Sequence, residues 1–169
     1  MRKHLLIFPF ILLPFISIHA QKITSIKASA NPVKSAPGVN RTDLVTFAKQ
    51  YLGTPYHKCS NDPQKGFDCS GFVYYVFKNF NVTLPRSSME YKSIGKTLKP
   101  NEFKVGDILV FYGYNDSSVI GHVGIICEAN GMKSRFIHSS SGKDYGVTIS
   151  NLDSKGYHRR FYKCINVLN

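Results

Sequence analysis

At Pro100 the hydrophobic pattern of this chain changes period, and that change restricts the folds open to it. Before it, apolar residues recur at helical spacing, first at Leu44, Phe47, Ala48 and Tyr51, then at Phe72, Val73, Val76, Phe77 and Phe80. After it come β-branched and aromatic runs separated by turn residues: V-G-D-I-L-V-F-Y, G-H-V-G-I-I-C-E-A, S-R-F-I-H-S-S, G-V-T-I-S and H-R-R-F-Y-K-C-I-N-V-L. Helices first and antiparallel strands afterwards predict an α+β domain. The second helix has the more apolar face and is expected at the centre of the core. Thr42 is expected to cap the first helix and Gly53 to stop it. Ser87-x-x-Glu90 reads as a capping box opening a short third helix that ends near Gly95. Asn130-Gly131 reads as a tight turn between the second and third strands.

The first twenty residues stand apart. Arg2, Lys3 and His4 precede an apolar run from Leu5 to Ile18, and His19-Ala20 closes it, which is the layout of a cleaved secretory signal. A run of that length reaches only about 21 Å as a helix, short of the roughly 30 Å hydrocarbon core. No membrane span is expected after cleavage, and the product is expected in the periplasm, cell envelope or extracellular space. Residues 21–40, rich in Ser, Ala, Lys and Pro, read as a flexible tether, and 41–169 as the folded domain.

Export permits disulfides, so the four cysteines, Cys59, Cys69, Cys127 and Cys164, allow two bridges in three pairings. A domain of this size needs no staples. Cys127 and Cys164 lie in apolar runs where a buried free thiol is the commoner outcome. With no C-x-x-C pair the spacing argues against zinc.

Cys69 follows Asp68, a favoured cap residue, at the start of the apolar helix. A helix amino terminus favours thiolate, so the thiol is expected to fall below its free value of about 8.5, with the Asp68 charge opposing. Gly71 is expected to permit close approach by another chain or a substrate. His122 and His138 fall on successive strands, where antiparallel register can set their imidazoles side by side. A cysteine with one histidine as base and a second to orient it forms a nucleophile arrangement. His158, beside Arg159 and Arg160, reads as part of a solvated basic edge, and His57 as a loop residue before the nucleophile.

Six blocks in order then resemble one family. G-T-P-Y at 53–56, G-F-D-C-S-G-F-V at 66–73, L-P-R-S-S at 84–88, K-V-G-D-I-L-V-F at 104–111, G-H-V-G-I at 121–125 and F-I-H-S-S at 136–140 are similar to the NlpC family of bacterial cell-wall cysteine peptidases. The resemblance implies a papain-like α+β fold, with the nucleophile helix packed on a small antiparallel sheet. It implies hydrolysis in the peptidoglycan stem peptide, usually between γ-D-glutamate and the diamino acid (meso-diaminopimelate). Carried over by position, it makes Cys69 the nucleophile, His122 the general base and His138 the orienting residue. It sets the Tyr56 phenol near the oxyanion, and Asp68, Ser70, Arg86 and Ser88 along the cleft as substrate-binding or oxyanion residues. Tyr91 stands where many relatives carry glutamine, and Cys59 where glycine is common.

No metal or cofactor is called for. The expected partner is the peptidoglycan stem peptide, met by a monomer. An N-acetylmuramoyl-L-alanine amidase with the same triad, an acyl transferase and a catalytically inactive wall-binding module are the alternatives. The formal charge of +12 suits an anionic wall. Nucleic acid is not expected, because the lysines and arginines are scattered and no recognised module is present.

Overall fold

The structure, a computed structural model, describes residues 38–168. The signal read at 1–20 lies outside the described residues, as does the tether read at 21–40 except for its last three positions. Helix α1 is Arg41–Lys49 and helix α2 is Cys69–Lys78, with a two-stranded hairpin, β1 (Asn61–Asp62) and β2 (Gly66–Phe67), between them. A six-stranded antiparallel sheet follows: β3 (Lys96–Leu98), β4 (Ile108–Tyr112), β5 (Ile120–Glu128), β6 (Arg135–Ser139), β7 (Val147–Asn151) and β8 (Phe161–Asn166). Its spatial order is β3-β8-β4-β5-β6-β7, so β8 returns across the sheet to lie between β3 and β4. Helix α3 (Lys155–Arg160) joins β7 to β8. The expected α+β architecture is present, and none of the helices among the described residues is long and apolar enough to cross a membrane.

Both faces of the central strands are covered. Ile108 and Val110 of β4 face α1 and α2, together with Val123, Ile125, Phe72, Val76 and Leu44. Leu109 and Phe111 alternate to the opposite face and pack with Ile126, Phe136 and Cys164, against which Tyr157 of α3 is laid. Two-sided burial explains why β4 reads as an unbroken apolar run rather than an alternating one. Arg41 ties α1 to this sheet: its guanidinium donates to Asp107 at 2.7 Å, to the Val105 carbonyl at 2.9 Å and to Asn166 at 2.8 Å.

Several local expectations are corrected. Asn40, not Thr42, caps α1, accepting from the Thr42 and Asp43 N–H groups, and the helix ends at Lys49 ahead of Gly53. The third helix is a short 3-10 segment, Ser88–Lys92, where the Glu90 carboxylate accepts from the Ser87 N–H at 3.4 Å. Asn130-Gly131 does not make a two-residue turn; six residues link β5 to β6, with Gly131 at φ 52°. The stretch 158–160, read as strand, belongs to α3, because aromatic and basic residues suit a short helix as well as a strand once Tyr157 is anchored on the sheet. The edge strand β3 and the hairpin of β1 and β2, each only two or three residues long, had no sequence signal. Cys59, Cys69, Cys127 and Cys164 are free, with Cys127 and Cys164 buried.

Gly71 answers one expectation in an unexpected way. A Cβ there would lie 2.0 Å from the Ser60 carbonyl oxygen and 3.0 Å from Arg86 Nη2. The close approach is that of this chain's own Ser60 loop.

Candidate active site

Asp68 prepares the start of α2. Its carboxylate accepts from the Gly71 N–H at 2.7 Å, a cap worth about 1 kcal/mol, and from the Ser70 hydroxyl at 3.3 Å. The same carboxylate receives both arms of Arg86, Nη1 at 2.9 Å and Nη2 at 2.7 Å. A bidentate pair of this kind fixes planes as well as distances. Arg86 also reaches Ser70 at 3.2 Å. Asp68, Ser70, Arg86 and Ser88 line one cavity of about 390 Å³, together with Cys59, Ser87 and Glu90.

Cys69 is the first residue of the helix and is half-buried. Its thiol points at the Gly121 carbonyl, 3.9 Å away, one residue before His122 on β5. Backbone N–H groups of Val123, Ser70 and Cys69 itself act to lower the thiol, as expected of a helix start. They do not prevail: burial, reinforced by the Asp68 charge, pushes Cys69 up to about 11. The expectation of a lowered thiol is therefore corrected, because desolvation of a thiolate outweighs the helix terminus here. Tyr56 lies close enough to feel the Cys69 and Asp68 charges, and burial with those charges raises its phenol. His57 is exposed in the same loop, its Nδ1 3.2 Å from the Lys58 carbonyl.

The two strand histidines meet. His122 Nε2 is 3.0 Å from His138 Nδ1, and the rings stand at 88° to one another. Gly124, on the same face of β5, makes the room: a Cβ there would come within 2.6 Å of the Phe136 ring and 3.0 Å of His138 Cβ. Burial holds both imidazoles below their ordinary value, His138 at about 3 and His122 well down, the latter helped by His138 and Arg160. Both are neutral near pH 7.

Behind them stand three residues that no local sequence pattern singled out as site residues. Ser150 Oγ on β7 is 3.0 Å from His138 Nε2, and the Tyr157 hydroxyl is 3.4 Å from the same nitrogen. The Tyr157 ring stacks on His122 at 5.9 Å and meets His138 edge-on at 5.3 Å. Arg160 is half-buried. Its guanidinium lies 5.1 Å from the Tyr157 ring and 5.6 Å from the Tyr114 ring, while His158 and Arg159 remain exposed. A strand serine and a Tyr-x-x-Arg spacing carry no motif of their own. Among the described residues, no group of three or more His, Cys, Asp or Glu side chains is arranged to hold a metal ion.

Residues 53–166 match the NlpC/P60 family. This chain belongs to that family. It is 35% identical over 124 residues to the gamma-DL-glutamyl hydrolase of Bacillus subtilis, covering 73% of this chain and 28% of that protein. It is likewise 35% identical over 119 residues to a probable endopeptidase NlpC homolog of Haemophilus influenzae, covering 70% of this chain and 58% of that one. The chain thus spans between about a quarter and three fifths of the length of these relatives. A crystal structure of an NlpC/P60 family protein from Bacillus cereus superposes with a TM-score of 0.69 at 26% identity, over 79% of this chain and 42% of that one. The papain-like α+β arrangement expected from the sequence is the fold these proteins share.

Proposed function

We propose that this NlpC/P60 chain is a peptidoglycan hydrolase, a cysteine endopeptidase that cuts the stem peptide between γ-D-glutamate and the diamino acid. The observation that carries the reading is the placement of Cys69 at a helix start, beside the strand where His122 is bound to His138. The similarity to a gamma-DL-glutamyl hydrolase and to a probable endopeptidase supports the choice of bond class. Signal removal after Ala20 and a cell-envelope location for a monomeric product belong to the same proposal, as does the tether at 21–40.

The resting pair is thiol and neutral imidazole. As Cys69 Sγ bonds to the scissile carbonyl carbon, its proton passes to His122, and the oxygen takes up negative charge. Backbone N–H groups at the start of α2 and the Tyr56 hydroxyl are the donors offered to that oxygen, each worth about 3 to 4 kcal/mol when well aimed. His122 then delivers the proton to the leaving amine as the C–N bond breaks, leaving a thioester. Water, deprotonated by His122, attacks the thioester and releases the acid and the thiol. General acid and base work of this kind contributes roughly 10²- to 10⁴-fold.

The histidine pair carries a tautomer requirement. For His122 to accept from sulfur its Nδ1 must be bare, because Nε2 is turned to His138. His122 then carries its proton on Nε2 and donates to His138 Nδ1. His138 in turn carries its proton on Nε2 and donates to Ser150 Oγ. Asp68, Ser70, Arg86 and Ser88 line the cavity beside Cys69 where the glutamyl side of the substrate is to be bound.

The test is digestion of purified peptidoglycan by the wild type and by Cys69→Ala, with the released fragments weighed by mass spectrometry. New amino groups on the diamino acid, released by the wild type only, are expected. Cleavage that survives in Cys69→Ala would overturn the mechanism, and a free L-alanine amine on the stem would reassign the bond to the amidase class.

A further inference from the structure

Cys69 is flanked by a second cavity, of about 510 Å³, on the histidine side. His122, Ser140, Ser141, Ser154, Tyr157 and Arg160 line it, and so does Gly121, whose carbonyl faces the Cys69 thiol. Tyr114 and Asn115 line it too, so its polar wall groups are hydroxyls, the Asn115 carboxamide, the His122 imidazole and one cation. No acidic side chain is among the lining residues; Asp144, between β6 and β7, acts on the Tyr157 hydroxyl from outside the cavity.

The guanidinium is held in place and only partly used. Arg160 Nε donates to the Gly156 carbonyl at 3.1 Å and Nη1 to the Tyr112 carbonyl at 3.3 Å. The Tyr157 and Tyr114 rings lie 5.1 and 5.6 Å from it. Of five N–H donors two are spent within the chain, and among the described residues neither Nη2 nor any carboxylate completes the set. An ordered planar fork with unspent donors suits a planar anion and has lost much of its rotamer freedom before binding.

The chemistry says which half of a substrate arrives there. The amine that leaves must take its proton from His122, so the segment beginning with that amine lies on the His122 side of Cys69. We propose that Arg160 and the hydroxyls around it form the subsite for a carboxylate on the departing, diamino-acid segment of the stem peptide. This assignment rests on the hydrolase reading above and deepens it: the enzyme selects a free carboxylate on the diamino acid over a carboxamide.

The experiment compares two synthetic peptides, L-alanyl-γ-D-glutamyl-diaminopimelate and the same peptide with the diaminopimelate carboxylates converted to carboxamides. Wild type is expected to prefer the carboxylate form by about 10- to 100-fold in kcat/KM, the ratio that charge-assisted hydrogen bonds support. In Arg160→Gln that ratio is expected to collapse toward one, and Arg160→Lys, which keeps the charge without the fork, to retain part of it. Because loss of the two carbonyl bonds affects both peptides alike, the ratio separates recognition from a strut. A ratio near one in the wild type, or one unchanged in Arg160→Gln, overturns the proposal. If the wild type cuts neither peptide, titration of both into Cys69→Ala by calorimetry decides. Tighter carboxylate binding that disappears on adding Arg160→Gln keeps the subsite and removes the hydrolase reading. Equal or undetectable binding of the two overturns the subsite itself.

Discussion

His138 lies wholly buried with Nδ1 3.0 Å from His122 Nε2. Its other nitrogen is also engaged, by Ser150 Oγ at 3.0 Å, so the buried His138 ring cannot turn over without losing a bond. The pair therefore behaves as one unit whose protonation pattern is set from β7.

Ser150→Ala is expected to lower kcat by about 5- to 30-fold with KM little changed, the range that follows from leaving one buried ring N–H without its acceptor. Ser150→Thr, which keeps the hydroxyl, should recover most of the loss. Steady-state kinetics on a defined muropeptide measure both. Wild-type kcat in Ser150→Ala would show that Tyr157 alone, or neither residue, holds the tautomer.

Stability should fall on acidification. Burial lowers both imidazoles in the folded chain, so between the unfolded value near 6.5 and the folded value of about 3 for His138 the unfolded chain binds more protons. Their contribution is complete above about pH 6.5 and is lost as pH falls below it, at about 1.4 kcal/mol per pH unit for His138. Urea unfolding at pH 7.5 and pH 5.0 should differ by about 2 kcal/mol on account of His138. His138→Gln should shrink that difference; an equal difference in the variant would assign the acid sensitivity elsewhere.

Asp68→Asn should separate thiol reactivity from hydrolysis. The Asp68 charge is the second cause, after burial, of the raised Cys69 thiol, so its removal should lower the thiol and speed alkylation by iodoacetamide at pH 8. Hydrolysis should fall nonetheless, because the variant loses the ionic pairing with Arg86 and weakens the cap on Gly71. Alkylation that is slower than in the wild type would reverse the assigned electrostatics.

Gly124→Ala should damage the site through packing alone. The added methyl meets Phe136 and His138 Cβ, and overpacking of this kind costs about 1 to 3 kcal/mol. A lowered melting temperature together with a changed His138 ring signal in NMR is expected. Unperturbed histidine resonances would mean that β6 yields without moving the imidazole.

Much of the site could be read along the chain because its pieces are local. Asp68-Cys69 opening an apolar helix announces a capped terminus, and histidines on two successive strands announce neighbours. Ser150, Tyr157 and Arg160 gave no such signal. Each acquires its place only because β7 lies beside β6 and α3 folds back over the sheet face that carries His122, Gly124 and Ile126. The same folding-back leaves His158 and Arg159 exposed, as a basic edge requires, and sets the half-buried Arg160 beside the Tyr157 ring.

The thiol marks the division between the two kinds of information. Sequence by itself determined that Cys69 sits at a helix amino terminus, since capping and periodicity are properties of a dozen adjacent residues. It also determined the α+β class, since periods of 3.6 and 2 are visible without partners. Only the tertiary structure decided the charge state of that thiol, the neutrality of both histidines and the two cavities on either side of them. Each of those depends on how much water and which distant groups surround an atom, and solvation is set by packing across the fold, not by neighbours in the chain.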